Sequence, residues 1–316
     1  MKAKPKVLFV DDEERIVNLL RMIFRANYEV FTATSGAAAL EIIDAHDIQV
    51  IVSDQRMPGM RGTELLNAVR KRSPATMRLL LTGYSDLAAI VGSVNDGEVF
   101  RFVNKPWDND IFKGLVAEAA EIAMVSKQAL SAQPETPSSL LTDYGAMPAV
   151  LVLDDNAADL RQIHSLLGGD FATIGAGSIA QALKVLEKND VGVIVSDAYV
   201  GNDDTAQLLR ILKQNYPLIT TVMLTGAADS DHVIKMINQV QIFRFATKPI
   251  RGSVLQLAVA AAMKEHQRLV ADPRQVVRHR VAKSVEPENT SLAASVVASL
   301  AKLRSRFSFF SRKAAV

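Results

Sequence analysis

The 316-residue sequence contains no cysteine. A disulfide framework, a thiolate metal site, a redox pair and a cysteine nucleophile are therefore all excluded, and a reducing, cytoplasmic setting is expected. Histidine is scarce, with five in the chain and none at ligand spacing, which argues against a zinc centre. Long apolar runs are missing too. No window approaches the roughly 18 consecutive apolar residues of a membrane span, and Met1-Lys2-Ala3-Lys4 leads into only a short apolar stretch before Asp11, unlike a signal peptide. Aromatic residues make up 6% of the chain, with a single tryptophan, yet 49% hydrophobic and 22% charged residues are enough for ordinary globular domains. The net charge is only +2, but residues 266–316 carry a local +7 and leave residues 1–265 at −5. Any attraction to nucleic acid or anionic lipid is thus concentrated in the tail.

What the sequence does contain is a repeat. Sliding it along itself by 143 positions brings Val7–Asp12 (VLFVDD) onto Val150–Asp155 (VLVLDD) and Ile51–Asp54 onto Ile194–Asp197, both IVSD. The same shift aligns LLLTG ending at Gly83 with VMLTG ending at Gly226, and Phe100–Pro106 (FRFVNKP) with Phe243–Pro249 (FRFATKP). Two copies of this size mean a duplicated domain rather than a solenoid. The expected organisation is a first domain over 5–128, a linker over 129–147, a second domain over 148–266 and a basic tail over 267–316. Proline, serine and threonine in SAQPETPSSLLTDYGAMP give the linker its character.

Within the first copy, Lys6–Val10, Glu29–Ala33, Val50–Ser53, Met77–Leu81 and Phe100–Val103 read as strands. Arg15–Arg25, Gly36–Ala45, Thr63–Arg72, Asp86–Asn95 and Asp108–Lys127 read as the helices between them. Apolar strands with little alternation, each followed by a helix, predict an α/β fold: a doubly wound parallel sheet covered on both faces, present twice.

In an open parallel sheet the ligand site lies beyond the carboxyl ends of the strands. There the first copy places Asp11-Asp12, Asp54, Thr82 and Lys105, and the second Asp154-Asp155, Asp197, Thr225 and Lys248, with the same intervals of 42, 28 and 23 residues. Converging carboxylates need protons or a cation, and an all-oxygen set suits Mg²⁺. A lysine can hold an anion and a threonine hydroxyl can donate to a phosphoryl oxygen. Together these are the parts of phosphoryl transfer to aspartate.

On these motifs both copies resemble response-regulator receiver domains of two-component signalling, similar in plan to the chemotaxis response regulator and therefore flavodoxin-like (βα)5 folds. The resemblance implies phosphorylation of Asp54 and Asp197 by a histidine kinase or histidine phosphotransfer protein. It implies Mg²⁺ held by Asp12, Asp54 and the Arg56 carbonyl, with Asp11 acting largely through water, and by Asp154, Asp155 and Asp197 in the second copy. Thr82 with Lys105, and Thr225 with Lys248, would engage the phosphoryl group; Phe102 and Phe245 fill the place of the family's switch aromatic; and the Lys-Pro bonds are expected to be cis. The second copy departs from the pattern at Ala198–Asp204 (AYVGNDD), where the Met-Pro-Gly turn of the first is replaced and two acids are added.

Each feature also has a plainer reading. The acid pairs could cap the following helices, Phe102 and Phe245 could be plain core, and His266 reads as a surface histidine in preference to a phosphotransfer residue. In the tail, Leu292, Val296, Leu300, Leu303, Phe307 and Phe310 fall on one stripe at helical spacing; the alternatives are a basic amphipathic helix packed on a receiver or a protein partner, the same helix on an anionic membrane, and a disordered segment. DNA binding is not expected, since no helix-turn-helix pattern accompanies it. The leading expectation is a tandem-receiver regulator that is a phosphoacceptor rather than a turnover enzyme. It would act on an unknown downstream protein, with a homodimer left open. The alternatives are a constitutive docking scaffold and an aspartyl-phosphate phosphatase; against the latter, Arg56 and Tyr199 stand where a second acid would be needed.

Overall fold

In the computed structural model, residues 4–83, 99–131, 147–226, 236–238 and 240–272 are described. The sequence-predicted helix over 86–95, most of the linker, and the tail beyond 272 lie outside the described residues. The chain forms two compact units.

The first unit is built on β1 (Lys6–Val10), β2 (Glu29–Ala33), β3 (Val50–Asp54), β4 (Met77–Thr82) and β5 (Arg101–Asn104). They form one five-stranded sheet in the order β2-β1-β3-β4-β5, every pair parallel. Leu8 pairs with Ile51, and Leu80 with Phe102, so the strand ends stay in register and Asp54 comes opposite Leu81. β3 and β4 are buried along their whole length, which explains their continuous apolar runs. The chain crosses from one side of β1 to the other between β2 and β3, and the crevice at such a reversal is where ligands of these sheets bind.

Helices α1 (Glu14–Phe24), α2 (Gly36–Ala45), α3 (Gly62–Arg72) and α4 (Asn109–Ser131) cover the sheet. Helix α1 buries Val17, Leu20 and Phe24, one face at helical spacing. Helix α2 begins where Ser35 Oγ accepts from the Ala38 N–H, a cap that satisfies one of the orphan donors of the first turn. Phe24 lies 4.9 Å from Phe9 and 5.2 Å from Phe112, locking α1 and α4 to the sheet. The expected bounds hold to within a few residues, with α4 running further, to Ser131.

The second unit repeats the plan with β6 (Ala149–Leu153), β7 (Thr173–Ala176), β8 (Val191–Asp197), β11 (Thr220–Thr225) and β12 (Arg244–Thr247). Their order, β7-β6-β8-β11-β12, is that of the first sheet. Helices α5 (Ala157–Leu167), α6 (Ile179–Lys188), α7 (Ala206–Asn215) and α8 (Gly252–Ala271) pack around it, and Ser178 caps α6 as Ser35 caps α2. Val150, Val195, Val222, Leu224, Leu255 and Val259 are members of its core.

Three features differ from expectation or from the first copy. The variant loop is a small antiparallel hairpin, β9 (Tyr199–Val200) with β10 (Asp203–Asp204), turning at Gly201 with a φ of 64°; glycine adopts that left-handed backbone without the Cβ penalty. Helix α8 continues five residues into the stretch assigned to the tail, because Leu269 extends the buried stripe of Leu255, Val259, Ala262 and Met263. It ends at Asp272, whose successor Pro273 disfavours a helical residue before it. His266, expected at the surface, belongs instead to this buried stripe: the residue is 7% exposed and its Nδ1 lies 3.0 Å from the Leu218 carbonyl oxygen. Burial lowers its pKa, and the position does not suit exchange of phosphate with another protein.

Candidate functional site

At the carboxyl edge of the first sheet, strand geometry delivers Asp11 just beyond β1, Asp54 at the end of β3, Thr82 at the end of β4 and Lys105 just beyond β5. The Lys105 ammonium lies 2.8 Å from Asp11 Oδ2 and 2.6 Å from Asp54 Oδ1. Asp11 is 1% exposed and Asp54 is 6% exposed, so two nearly buried carboxylates share one cation. Without it their charges would be desolvated and mutually repelling. Burial by itself pulls the Lys105 pKa down, but the hydrogen bonds to Asp11 and Asp54 reverse that and leave it raised. Asp54 Oδ2 also accepts from the Arg56 backbone N–H at 2.5 Å, and Asp11 Oδ1 from that of Glu13 at 3.0 Å. Asp12 is exposed at the start of the same turn.

Thr82 is buried, and its hydroxyl donates to the Gly83 carbonyl at 3.3 Å. The Lys105 backbone N–H donates to the Thr82 carbonyl, tying the lysine loop to β4. The following Lys105-Pro106 bond is cis, as is Lys248-Pro249. Phe102 and Phe245 are both buried in their units.

The second site has the same frame and different attachments. Lys248 Nζ meets Asp154 at 2.8 Å, Asp197 at 2.5 Å and, in addition, Asp159 at 2.8 Å. Its pKa is lowered by burial but raised overall by those three hydrogen bonds. Asp154 is fully buried, and burial lifts its pKa despite the opposing pull of Lys248 and the Asn156 N–H. Asp155 accepts from the Gly201 N–H at 3.0 Å, which fastens the hairpin to the site. Asp197 accepts from the Ala198 N–H, one residue on, where Asp54 accepts from the second residue on. Thr225 repeats Thr82 in its burial and in its bond to Gly226. Tyr199 is half exposed on the hairpin.

Three participants were not singled out in the sequence. A Cβ on Gly62 would stand 2.1 Å from the Asp54 carbonyl oxygen, so α3 can start against the acceptor strand only with glycine there. The position 143 residues on is Thr205, whose hydroxyl donates to the carbonyls of Asp197 and Ala198 at 2.8 and 3.1 Å. Comparing the two copies at 62 and 205 would have revealed this exchange. Asp159, the third, stands four residues after Asp155, one helical turn further on, but it matches Ile16 and so left no repeat signal.

Among the described residues no group of three or more acids or histidines is drawn together as a metal cluster. The donor set still fits a hard divalent ion: two nearly buried carboxylates and one exposed carboxylate carry three negative charges against the single Lys105.

A family model for the response regulator receiver domain matches residues 7–117 and again residues 150–260. The chain belongs to the response regulator receiver family. It carries two receiver domains in tandem, and receiver domains are phosphoacceptors of two-component systems that use Mg²⁺.

Among its relatives, the hydrogenase transcriptional regulatory protein HoxA of Cupriavidus necator is 36% identical over 115 residues, 36% of this chain and 24% of that protein. The DNA-binding transcriptional regulator NtrC of Escherichia coli is 33% identical over 179 residues, 56% of this chain and 38% of that protein. The chain thus spans only about a quarter of HoxA. Solved structures that match include the receiver domain of an HD domain-containing protein from Pseudomonas fluorescens, 29% identical with a TM-score of 0.39, over 40% of this chain and 95% of that one. Another is a protein from Neptuniibacter caesariensis, 33% identical with a TM-score of 0.40, over 42% of this chain and 99% of that one. No described helix is long and apolar enough to cross a membrane.

Proposed function

We propose that the chain is a tandem-receiver response regulator that takes phosphoryl groups onto Asp54 and Asp197 from a histidine kinase or histidine phosphotransfer protein. The observation that carries this reading is the repeated bridge: in each receiver one lysine ammonium joins the acid after the first strand to the acid ending the third.

In the transfer, a carboxylate oxygen of Asp54 attacks phosphorus, an O–P bond forms, and the P–N bond to the donor imidazole breaks. The imidazole leaves with the electron pair and takes up a proton. Lys105, already beside Asp54, pairs with the incoming phosphoryl oxygens, and the Thr82 hydroxyl turns from the Gly83 carbonyl to donate to one of them. Asp12, Asp54 and the Arg56 carbonyl, with Asp11 through water, would hold Mg²⁺, which supplies positive charge against the phosphoryl oxygens. In the second receiver Asp154, Asp155 and Asp197 take those places, with Thr225 and Lys248. Withdrawal of Thr82 and Lys105 toward the phosphoryl group shifts the receiver between two states, and Phe102, like Phe245, is the buried aromatic that follows the threonine. The downstream partner then reads the altered surface.

Intact mass after incubation with acetyl phosphate tests this. Two Mg²⁺-dependent additions of one phosphoryl group are expected, one lost in Asp54→Asn and the other in Asp197→Asn. Persistence of both additions in the double variant would overturn the assignment of these acceptors; no addition in any form would point to a docking scaffold.

A further inference from the structure

The two sites differ by one carboxylate. Lys248 has three ammonium hydrogens, and three acids stand at 2.5–2.8 Å: Asp154, Asp197 and Asp159. Among the described residues Lys105 meets only Asp11 and Asp54. The position matching Asp159 is Ile16, half-buried and without charge. Asp159 is not a strand-end acid: it projects from the first turn of α5, which packs on β6 and β7, and only the fold brings it to the lysine that follows β12.

From this geometry we infer that Asp159 competes with the phosphoryl group for Lys248 and so sets how readily the second receiver accepts phosphate. The inference rests on the reading of Asp197 as a phosphoacceptor. Two consequences of the extra acid act in the same direction. Phosphoryl transfer is favoured when a cation is already oriented toward the oxygens on which charge develops. With Asp159 bound, Lys248 must give up an ion pair before it can supply that contact. The acid also adds a negative charge where an anionic donor must arrive: Asp154, Asp159 and Asp197 contact Lys248, whereas Asp11 and Asp54 contact Lys105. Asp159 is thus a positioning residue for Lys248, and the two receivers load with different ease although their acids, threonines and lysines match.

The test uses the 316-residue chain in an Asp54→Asn background, so that mass gain with acetyl phosphate and Mg²⁺ reads Asp197 alone. Asp159→Asn and Asp159→Ala are expected to load roughly tenfold faster than the background, a change equivalent to about 1.4 kcal/mol in barrier. Asp159→Glu is expected to stay within about twofold of it by the same relation. A second readout needs no metal or phosphate: acetylation of Lys248 by acetic anhydride in chelator, followed by peptide mass, is expected to quicken severalfold in Asp159→Asn. Conversely, Ile16→Asp in an Asp197→Asn background is expected to slow the loading of Asp54. Equal loading of Asp197 with and without Asp159 overturns the competition while leaving Asp197 an acceptor. Absence of phosphate on Asp197 in every variant, with Asp54 still loading in the wild-type chain, overturns both.

Discussion

Replacement of Gly62 by alanine would force the start of α3 off the acceptor strand. The new Cβ would lie 2.1 Å from the Asp54 carbonyl oxygen and 2.8 Å from Leu80 Cδ1. The oxygen is main chain and already accepts from the Ser53 hydroxyl, so it cannot swing aside as a side chain would. Restoring an ordinary carbon–oxygen contact requires an opening of about 1 Å, and α3 holds Leu65, Leu66 and Val69 in the core. Overpacking of this kind costs about 1–3 kcal/mol. A loss near 2 kcal/mol would lower the melting point of the first receiver by roughly 5–10 °C. Trp107, the single tryptophan, reports on this receiver because its ring packs 5.7 Å from Phe112 and its Nε1 donates to Asn109. Its emission during urea unfolding of the full chain therefore gives the stability change directly, and mass after acetyl phosphate treatment shows whether the displaced Asp54 still loads. An unchanged midpoint would refute the claim that the close approach dictates glycine. The matching Thr205 provides the contrast. There Thr205→Ala removes a buried hydroxyl shared by two carbonyls, at a cost of about 1–3 kcal/mol without any clash.

Removing the first site's cation with Lys105→Met leaves Asp11 and Asp54 uncompensated. In chelator the Trp107 transition should lose roughly 2–3 kcal/mol, and millimolar Mg²⁺ should recover part of it; no response to Mg²⁺ would refute the shared-charge account. In the second receiver, burial lowers the pKa of Lys213 from 10.5 to about 8, against the pull of Glu265. Between those values the unfolded chain binds more protons than the folded one, so stability should rise with pH from about 8 to 10.5, by up to about 3 kcal/mol. Urea unfolding followed by circular dichroism across that range checks this, and Lys213→Met should flatten the rise; an identical slope in the variant would sink the assignment.

The repeat, the strand-helix alternation and the acids, threonines and lysines at the strand ends were legible from the amino-acid sequence because each depends on local periodicity and spacing. A parallel sheet buried on both faces demands continuous apolar strands such as Val50–Val52, and the residue that ends such a run must lie at the carboxyl edge. Ser35 and Ser178, at the caps of α2 and α6, obey an equally local rule. What each polar side chain touches is another matter, because partners come from elements distant along the chain. Lys248 and Asp159 are joined across the carboxyl edge of the sheet by an ion pair between the loop after β12 and the first turn of α5. Only the tertiary structure decided that Asp11 is buried while Asp12 is exposed, that His266 faces the core, and that Gly62 leaves room for the Asp54 carbonyl where Thr205 hydrogen-bonds that of Asp197. Periodicity specifies which face of an element is covered; the approach of elements in space specifies which charge meets which.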